Sequence, residues 1–167
     1  MTAYDVRFKE AFAELTQRGN PLEDVLDDVC EWLLLEYDLY FVSIYQPSAS
    51  RDRILMVAGS PWGAFEAITG ASYGLPINNQ SSIVALSIAN SEVYLIDDCL
   101  NDTYFLPNPI IPLTRSQVAI PLIDNGTSIG AITLHAAEVA AFRRRDMQWI
   151  PALSHTLSDL IVNYQAP

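Results

Sequence analysis

The feature that most constrains this sequence is a pair of alternating segments joined by Asn125-Gly126. Asn-Gly between two such segments is the strongest local hairpin signal, because both central residues of the tight turn need positive φ. The strands it predicts are 117–123 and 128–135. In the first, Val118, Ile120 and Leu122 alternate with Gln117, Ala119 and Pro121, as a central strand requires. In the second, Gly130 lets a neighbouring backbone approach closely.

Helical and extended patterns surround this hairpin. Tyr4, Phe8, Ala11, Phe12 and Leu15 recur at helical spacing and Gly19 stops the run. Asn20-Pro21 predicts a second helix start, with Asn20 as cap, Pro21 at the first position and Glu23 two residues on. Leu22, Val25, Leu26, Val29, Cys30, Leu33 and Leu34 form its apolar stripe. Residues 40–46 and 53–58 read as an antiparallel strand pair. The glycine- and proline-rich stretch 60–79 reads as irregular. Ser81 or Ser82 is placed to cap a short helix through Ala89, and 93–96 reads as a short strand. Residues 97–114 form a long loop with Pro107, Pro109 and Pro112; a loop of this length in a compact domain is usually functional. A last helix is predicted over 143–164, kinked or delayed by Pro151. The implied fold class is α+β. Its central sheet is mainly antiparallel, with the N- and C-terminal helices on one face and loops plus a short helix on the other.

Composition narrows the function classes. Half of the 167 residues are hydrophobic and only 17% are charged, against roughly 25% in typical soluble domains. The net charge of −11 lies entirely in residues 1–105, with 16 acidic and 5 basic side chains; the remainder carries four of each. This balance argues against nucleic acid, whose phosphates demand a basic face, and against a polybasic membrane contact. No run approaches the roughly 18 apolar residues of a membrane span, and the N-terminus lacks a signal layout, so a cytoplasmic location is expected. Glu23, Asp24, Asp27, Asp28, Glu31, Glu36 and Asp38 form the densest acidic stretch. It is either a solvated helix face or a docking face for a basic partner.

Candidate chemistry is sparse. Cys30 and Cys99 make no CxxC or zinc pattern and read as free thiols. Adjacent Asp97 and Asp98 point to opposite faces of an extended segment, a poor acid–base pair that suits turn capping. A calcium loop opening at Asp98 would place Pro109 at its twelfth position, where glutamate is needed. Arg115, followed by Ser116, either grips a carboxylate or phosphate or pairs with Asp97, Asp98 or Asp102. Trp62, Phe65, Tyr73, Tyr104 and Phe105 lie in the two irregular stretches; they line a small-molecule pocket or fill it as core. His135 and His155 have no nucleophile or carboxylate at catalytic spacing and read as surface or capping residues. Arg143-Arg144-Arg145 opposes the dipole of a helix start, which suits a solvated run or an outside partner.

The element order and several motifs resemble a GAF domain. The matching residues are Val93–Asp98 with Asp102 and Phe105, then Arg115-Ser116-Gln117-Val118-Ala119-Ile120-Pro121-Leu122 and Gly126. They continue with Ile129-Gly130-Ala131-Ile132-Thr133-Leu134, and with Phe142 and Asp146 opening the last helix. The motifs span 93–146 and the element pattern about 20–165. The resemblance implies a GAF-like domain over 20–167, preceded by a helical segment over 1–19 that could dimerise. It implies a sensory or regulatory role in a signal-transduction protein such as a sensor histidine kinase. An unidentified small molecule would bind under the loops, contacting Trp62, Phe65, Tyr73, Asp97, Asp98, Tyr104, Phe105, Arg115 and Ser116. The terminal helices would form a homodimer and relay the change. No cofactor, metal or enzymatic activity is expected. Bilin-binding relatives carry an attachment cysteine that 102–114 lacks, and the cyclic-nucleotide signature is missing. The sulfoxide-reductase type uses several pocket cysteines where this chain has Cys99 alone. That type and a ligand-free dimerisation module are the alternatives.

Overall fold

The computed structural model describes residues 1–70, 74–79, 82–145 and 147–166. Helix α1 (Ala3–Thr16) starts on a capping box: the Thr2 hydroxyl accepts from the Asp5 amide and the Asp5 carboxylate accepts from the Thr2 amide. Gly19, at φ +68°, ends the run, and α2 (Leu22–Glu36) follows. The predicted Asn20 cap is not made. Pro21 occupies the cap position without a side-chain bond, and the Asn20 carbonyl instead accepts from the Tyr164 hydroxyl at 2.8 Å.

Strands β1 (Phe41–Pro47), β2 (Arg53–Ser60), β3 (Leu75–Pro76), β4 (Tyr94–Ile96), β5 (Ser116–Asp124) and β6 (Thr127–Ala136) form one sheet in the order β3-β2-β1-β6-β5-β4. Every pairing is antiparallel. Asn125 and Gly126 take φ +48° and +78°, as the turn between β5 and β6 needs. Gly130 is required on β6, because a Cβ there would lie 2.3 Å from the Tyr45 carbonyl oxygen of β1.

The irregular chain predicted over 60–79 is corrected by the structure, which forms α3 (Trp62–Gly70) and β3 there. The Phe65 amide donates to the Pro61 carbonyl at 3.1 Å. Phe65 and Ile68, one turn apart, both pack toward the sheet. Three glycines across the stretch dilute the periodicity that so short a helix leaves. Helix α4 (Ile83–Asn90) is capped by Ser82, whose hydroxyl accepts from the Ala85 amide at 3.4 Å; Ser81 lies outside the described residues. The single last helix splits into α5 (Ala141–Arg144) and α6 (Ile150–Asn163). Pro151 stands in the first turn of α6, where its missing N–H costs nothing. Asp146 lies outside the described residues.

Alternation along the strands divides the core into two layers. Val42, Ile44, Val118, Ile120, Ile132 and Leu134 face α1, α2 and α6. Phe41, Tyr45, Ile54, Met56 and Ala131 face α3, α4 and the segment carrying Ile111. Helix α1 is locked to its own chain through Phe8, which is fully buried. Its ring lies 5.9 Å from both Phe12 and Trp32 and 6.3 Å from Trp149. Tyr37 stacks on Trp149 at 4.3 Å. No described helix is long and apolar enough to cross a membrane.

Two substitutions test this packing. Gly130→Ala forces β1 and β6 apart and lowers unfolding free energy by about 2–4 kcal/mol in urea titration. Phe8→Ala leaves a cavity amid four aromatic rings and lowers it by about 3–5 kcal/mol. An unchanged midpoint in either variant contradicts the corresponding contact.

Candidate functional site

The sheet face opposite the terminal helices carries one buried polar strip. Register places Ser43 of β1 opposite Thr133 of β6, and Gln117 of β5 opposite His135 of β6. The Ser43 and Thr133 hydroxyls are 2.5 Å apart. His135 Nε2 lies 3.1 Å from the Thr133 hydroxyl and 3.3 Å from Gln117 Nε2, and its Nδ1 lies 3.2 Å from the Thr114 hydroxyl. Phe41 meets the imidazole edge-on. All five polar side chains are at most 7% exposed.

Gln117 and His135 form the floor of a cavity of about 40 Å³. A buried water needs roughly 10–15 Å³, so this small, partly open cavity has room for about three waters. Its walls include Met56, Ile83 and Val84, and its roof is Tyr104, Phe105, Leu106, Asn108 and Ile111. A second, more open cleft of about 300 Å³ lies on the far side of that roof, between Ile68 and Pro107–Ile110. The two spaces share Leu75, Leu106 and Asn108, so these three residues are the partition between them.

The roof is held locally. Asp98 caps the 3₁₀ turn Cys99–Asn101, accepting from the Leu100 amide at 3.3 Å and the Asn101 amide group at 2.7 Å. These bonds, the Asn101 contact foremost, hold the Asp98 carboxyl below the usual carboxylate range. Asp102 accepts from the Tyr104 amide at 2.7 Å, and Asn108 accepts from the Ile110 amide at 3.0 Å. The Cys99 amide donates to the Arg115 carbonyl at 2.8 Å.

Of the predicted site residues, Tyr104 and Phe105 reach the cavity. Phe65 is core and Trp62, half exposed, borders a separate groove beside Asp27 and Glu31. Tyr73 lies outside the described residues. Asp97 pairs with Arg143, and its carbonyl accepts from the Ala140 amide at 2.7 Å. Arg115 pairs with Asp98 at 3.5 Å, the structural alternative. The Ser116 hydroxyl donates to the Glu138 carbonyl at 2.7 Å. The 143–145 arginine run is likewise used internally: Arg145 donates to the Tyr37 and Asp38 carbonyls, closing the end of α2. Cys99 is buried, and desolvation, then Asp102 and Asp98, push its thiol up to about 12. Cys30 is buried in the other layer, where burial and Asp27 push its thiol up. Among the described residues no cluster suited to a metal ion is present.

His135 is the residue that sequence reading misplaces. It is not a surface or capping group: burial lowers its pKa to about 3. The signal was the alternation itself, since Gln117, Thr133 and His135 stand on the strand face opposite the apolar stripe. The sign of its titration follows. Unfolded, the imidazole takes a proton below about 6.5; folded, it stays neutral down to about 3. The unfolded chain therefore binds the extra proton, and stability falls with pH across that window. Between pH 6 and 4.5 the wild type should lose stability about 1 kcal/mol per pH unit more steeply than His135→Asn, read by urea unfolding at each pH. Parallel slopes would contradict a neutral buried imidazole.

Comparison with known proteins follows the geometry. A family model described as "GAF domain" matches residues 19–162. Comparison with curated protein sequences finds no match. Among solved structures, this chain is similar to the free methionine-R-sulfoxide reductase from Neisseria meningitidis in complex with its substrate, at 15% identity and TM-score 0.70, covering 95% of this chain and 90% of that one. It is similar to the type II free methionine-R-sulfoxide reductase from Thermoplasma acidophilum, at 15% identity and TM-score 0.67, covering 84% and 95%. It is similar also to the GAF domain of a phosphoenolpyruvate-protein phosphotransferase from Coxiella burnetii, at 14% identity and TM-score 0.71, covering 95% and 94%. The two reductases overturn the expectation of no enzymatic activity for this domain: the scaffold it shares also serves catalysts, and only the site decides. With the model match spanning most of its length and the fold agreeing throughout, the chain belongs to the GAF domain family.

Proposed function

We propose that this domain is a regulatory ligand-binding module of a signal-transduction protein such as a sensor histidine kinase, working in the cytoplasm. The observation that carries the reading is the buried Gln117–His135–Thr133 strip opening on a cavity under a locally held roof. An apolar pocket with a few convergent polar groups is the usual form of a small-molecule site. Lifting the 104–111 segment joins the cavity to the adjoining cleft and makes room for such a molecule.

A physical route leads from the roof to the terminal helices. Asp97, where the roof segment begins, holds Arg143 and the Ala140 amide. Two residues on, Arg145 holds the end of α2. Ligand-dependent ordering of 97–114 thereby biases α2 and α6 together. Pairing with a second copy would use the outer residues Val6, Leu35 and Val162, which are exposed, since Phe8, Phe12, Leu153 and Leu157 are spent in the core.

The small size of the cavity favours the rival reading, a ligand-free dimerisation module. A thermal-shift screen with nucleotides, amino acids and tetrapyrroles separates the two. On the ligand reading, at least one compound raises Tm in the wild type and fails to do so in Gln117→Ala. A flat screen combined with a dimer in sedimentation selects the rival. Arg143→Ala removes a largely exposed ion pair, so stability should change by no more than about 0.5 kcal/mol. The same variant should lose the ligand-induced shifts of amide resonances in 140–150; retained shifts would exclude this route.

A further inference from the structure

The cover over the cavity is electrically blank. Residues 67–91 contain no Asp, Glu, Lys or Arg, and neither do residues 103–114. In a chain of net charge −11, the described residues of these segments that line the two spaces, Ile68, Leu75, Ser82, Ile83, Val84 and 104–111, are all uncharged. Of the charges next to the second segment, Arg115 pairs with Asp98 and Asp102 accepts from the Tyr104 amide, and none of them lines the cavity. Beneath, the floor offers an amide, hydroxyls and an imidazole that burial keeps neutral. The remaining walls combine apolar Met56, Leu75, Ile83, Val84 and Phe105 with the uncharged polar Tyr45 and Ser82. The first turn of α4, through Ser82, Ile83 and Val84, also borders the cavity, and a helix start offers only a fractional positive charge.

A buried ion without a partner loses its hydration and gains nothing comparable in return. Recognition of a carboxylate or phosphate ordinarily calls on an arginine fork. Neither fork nor carboxylate is supplied here by the described lining residues. Neutral polar groups, by contrast, find partners on the Gln117–His135 floor, and flat apolar surface finds Met56, Ile83 and Phe105.

We infer that the ligand of this site is an uncharged, largely apolar molecule of one or two rings bearing a neutral hydrogen-bonding group, and not an anion or a zwitterion. The inference rests on the ligand-binding reading above and specifies its chemistry. The adjoining cleft of about 300 Å³ sits at the lower end of small-molecule pockets, which sets the one-to-two-ring size. The lifted partition of Leu75, Leu106 and Asn108 sets the entry point.

Matched probes isolate charge from shape. Benzamide against benzoate, and adenine against adenosine monophosphate, are titrated into the full chain by calorimetry, with free methionine sulfoxide as the zwitterion. Amide spectra locate each site. The uncharged member of at least one pair should bind at least about tenfold tighter than its charged mate, the scale of a modest unpaired-charge penalty. That binding should move resonances of 104–111 and weaken in Gln117→Leu. Leu106→Lys, at the partition, should reverse the preference toward benzoate; Asn108→Lys does the same should the first variant fold poorly. Equal or tighter binding of benzoate, adenosine monophosphate or methionine sulfoxide at the same resonances overturns the ligand class while leaving the site standing. Binding that leaves 104–111 unmoved and ignores Gln117→Leu, or no binding by any probe, overturns the site reading and the inference together.

Discussion

Both layers of the domain depend on one register, that of the hairpin closed by Asn125-Gly126. With Gln117 opposite His135 and Val118 opposite Leu134, the large apolar side chains Val118, Ile120, Leu122, Ile132 and Leu134 fall toward the terminal helices. Gln117, Thr133 and His135 fall on the opposite face, with the small Ala119 and Ala131. A slip by one residue would exchange the two faces, burying the imidazole among α1, α2 and α6 and turning Ile120 and Ile132 upward. The turn's positive φ values and the close approach of Gly130 to the Tyr45 carbonyl hold that register from opposite ends. The polar strip and the helix-side core are thus two results of a single alignment.

How far the sequence discloses this depends on the length of each signal. The β5–β6 hairpin, α1 and α2 carry long periodic patterns and are legible in place. The capping residue of α2 is not, because the choice between Asn20 and Pro21 is decided by Tyr164, far along the chain. Helix α3 hides behind glycines, and only the burial of Phe65 and Ile68 makes its face apparent. The candidate site was half legible. Tyr104 and Phe105 follow from being aromatics in a long loop, whereas Asp97, Asp98, Arg115 and Ser116 proved to be fastenings at strand ends. Their residue types suit both roles, and the structure gives Asp98, Arg115 and Ser116 internal partners at 2.7 to 3.5 Å. His135 was overlooked because a histidine is judged by catalytic neighbours in sequence, while its partners here come from β5, β6 and the end of the roof.

The charge pattern gains meaning from the fold. The acidic surplus of the first 105 residues sits in part on α2, while the roof segments carry none. The arginine run that looked unsuited to a helix start is a bracket: Arg143 reaches back to the roof and Arg145 to the end of α2. Two elements distant in sequence are thereby tied through two side chains, Arg143 and Arg145, of one short run. Structures of the same fold include a reductase and the GAF domain of a phosphotransferase, so the scaffold by itself does not fix the chemistry.

The two nitrogens of the His135 ring address different parts of the molecule. Nδ1 meets Thr114, at the end of the roof, whereas Nε2 meets Thr133 and Gln117, on the rigid floor. A neutral imidazole carries one hydrogen and must place it on one side or the other. On the proposed ligand reading, a roof that drew Thr114 away as it lifted would leave the floor alone to set the balance. The ring's tautomer would then report whether the roof is open or shut, written in the position of a single proton.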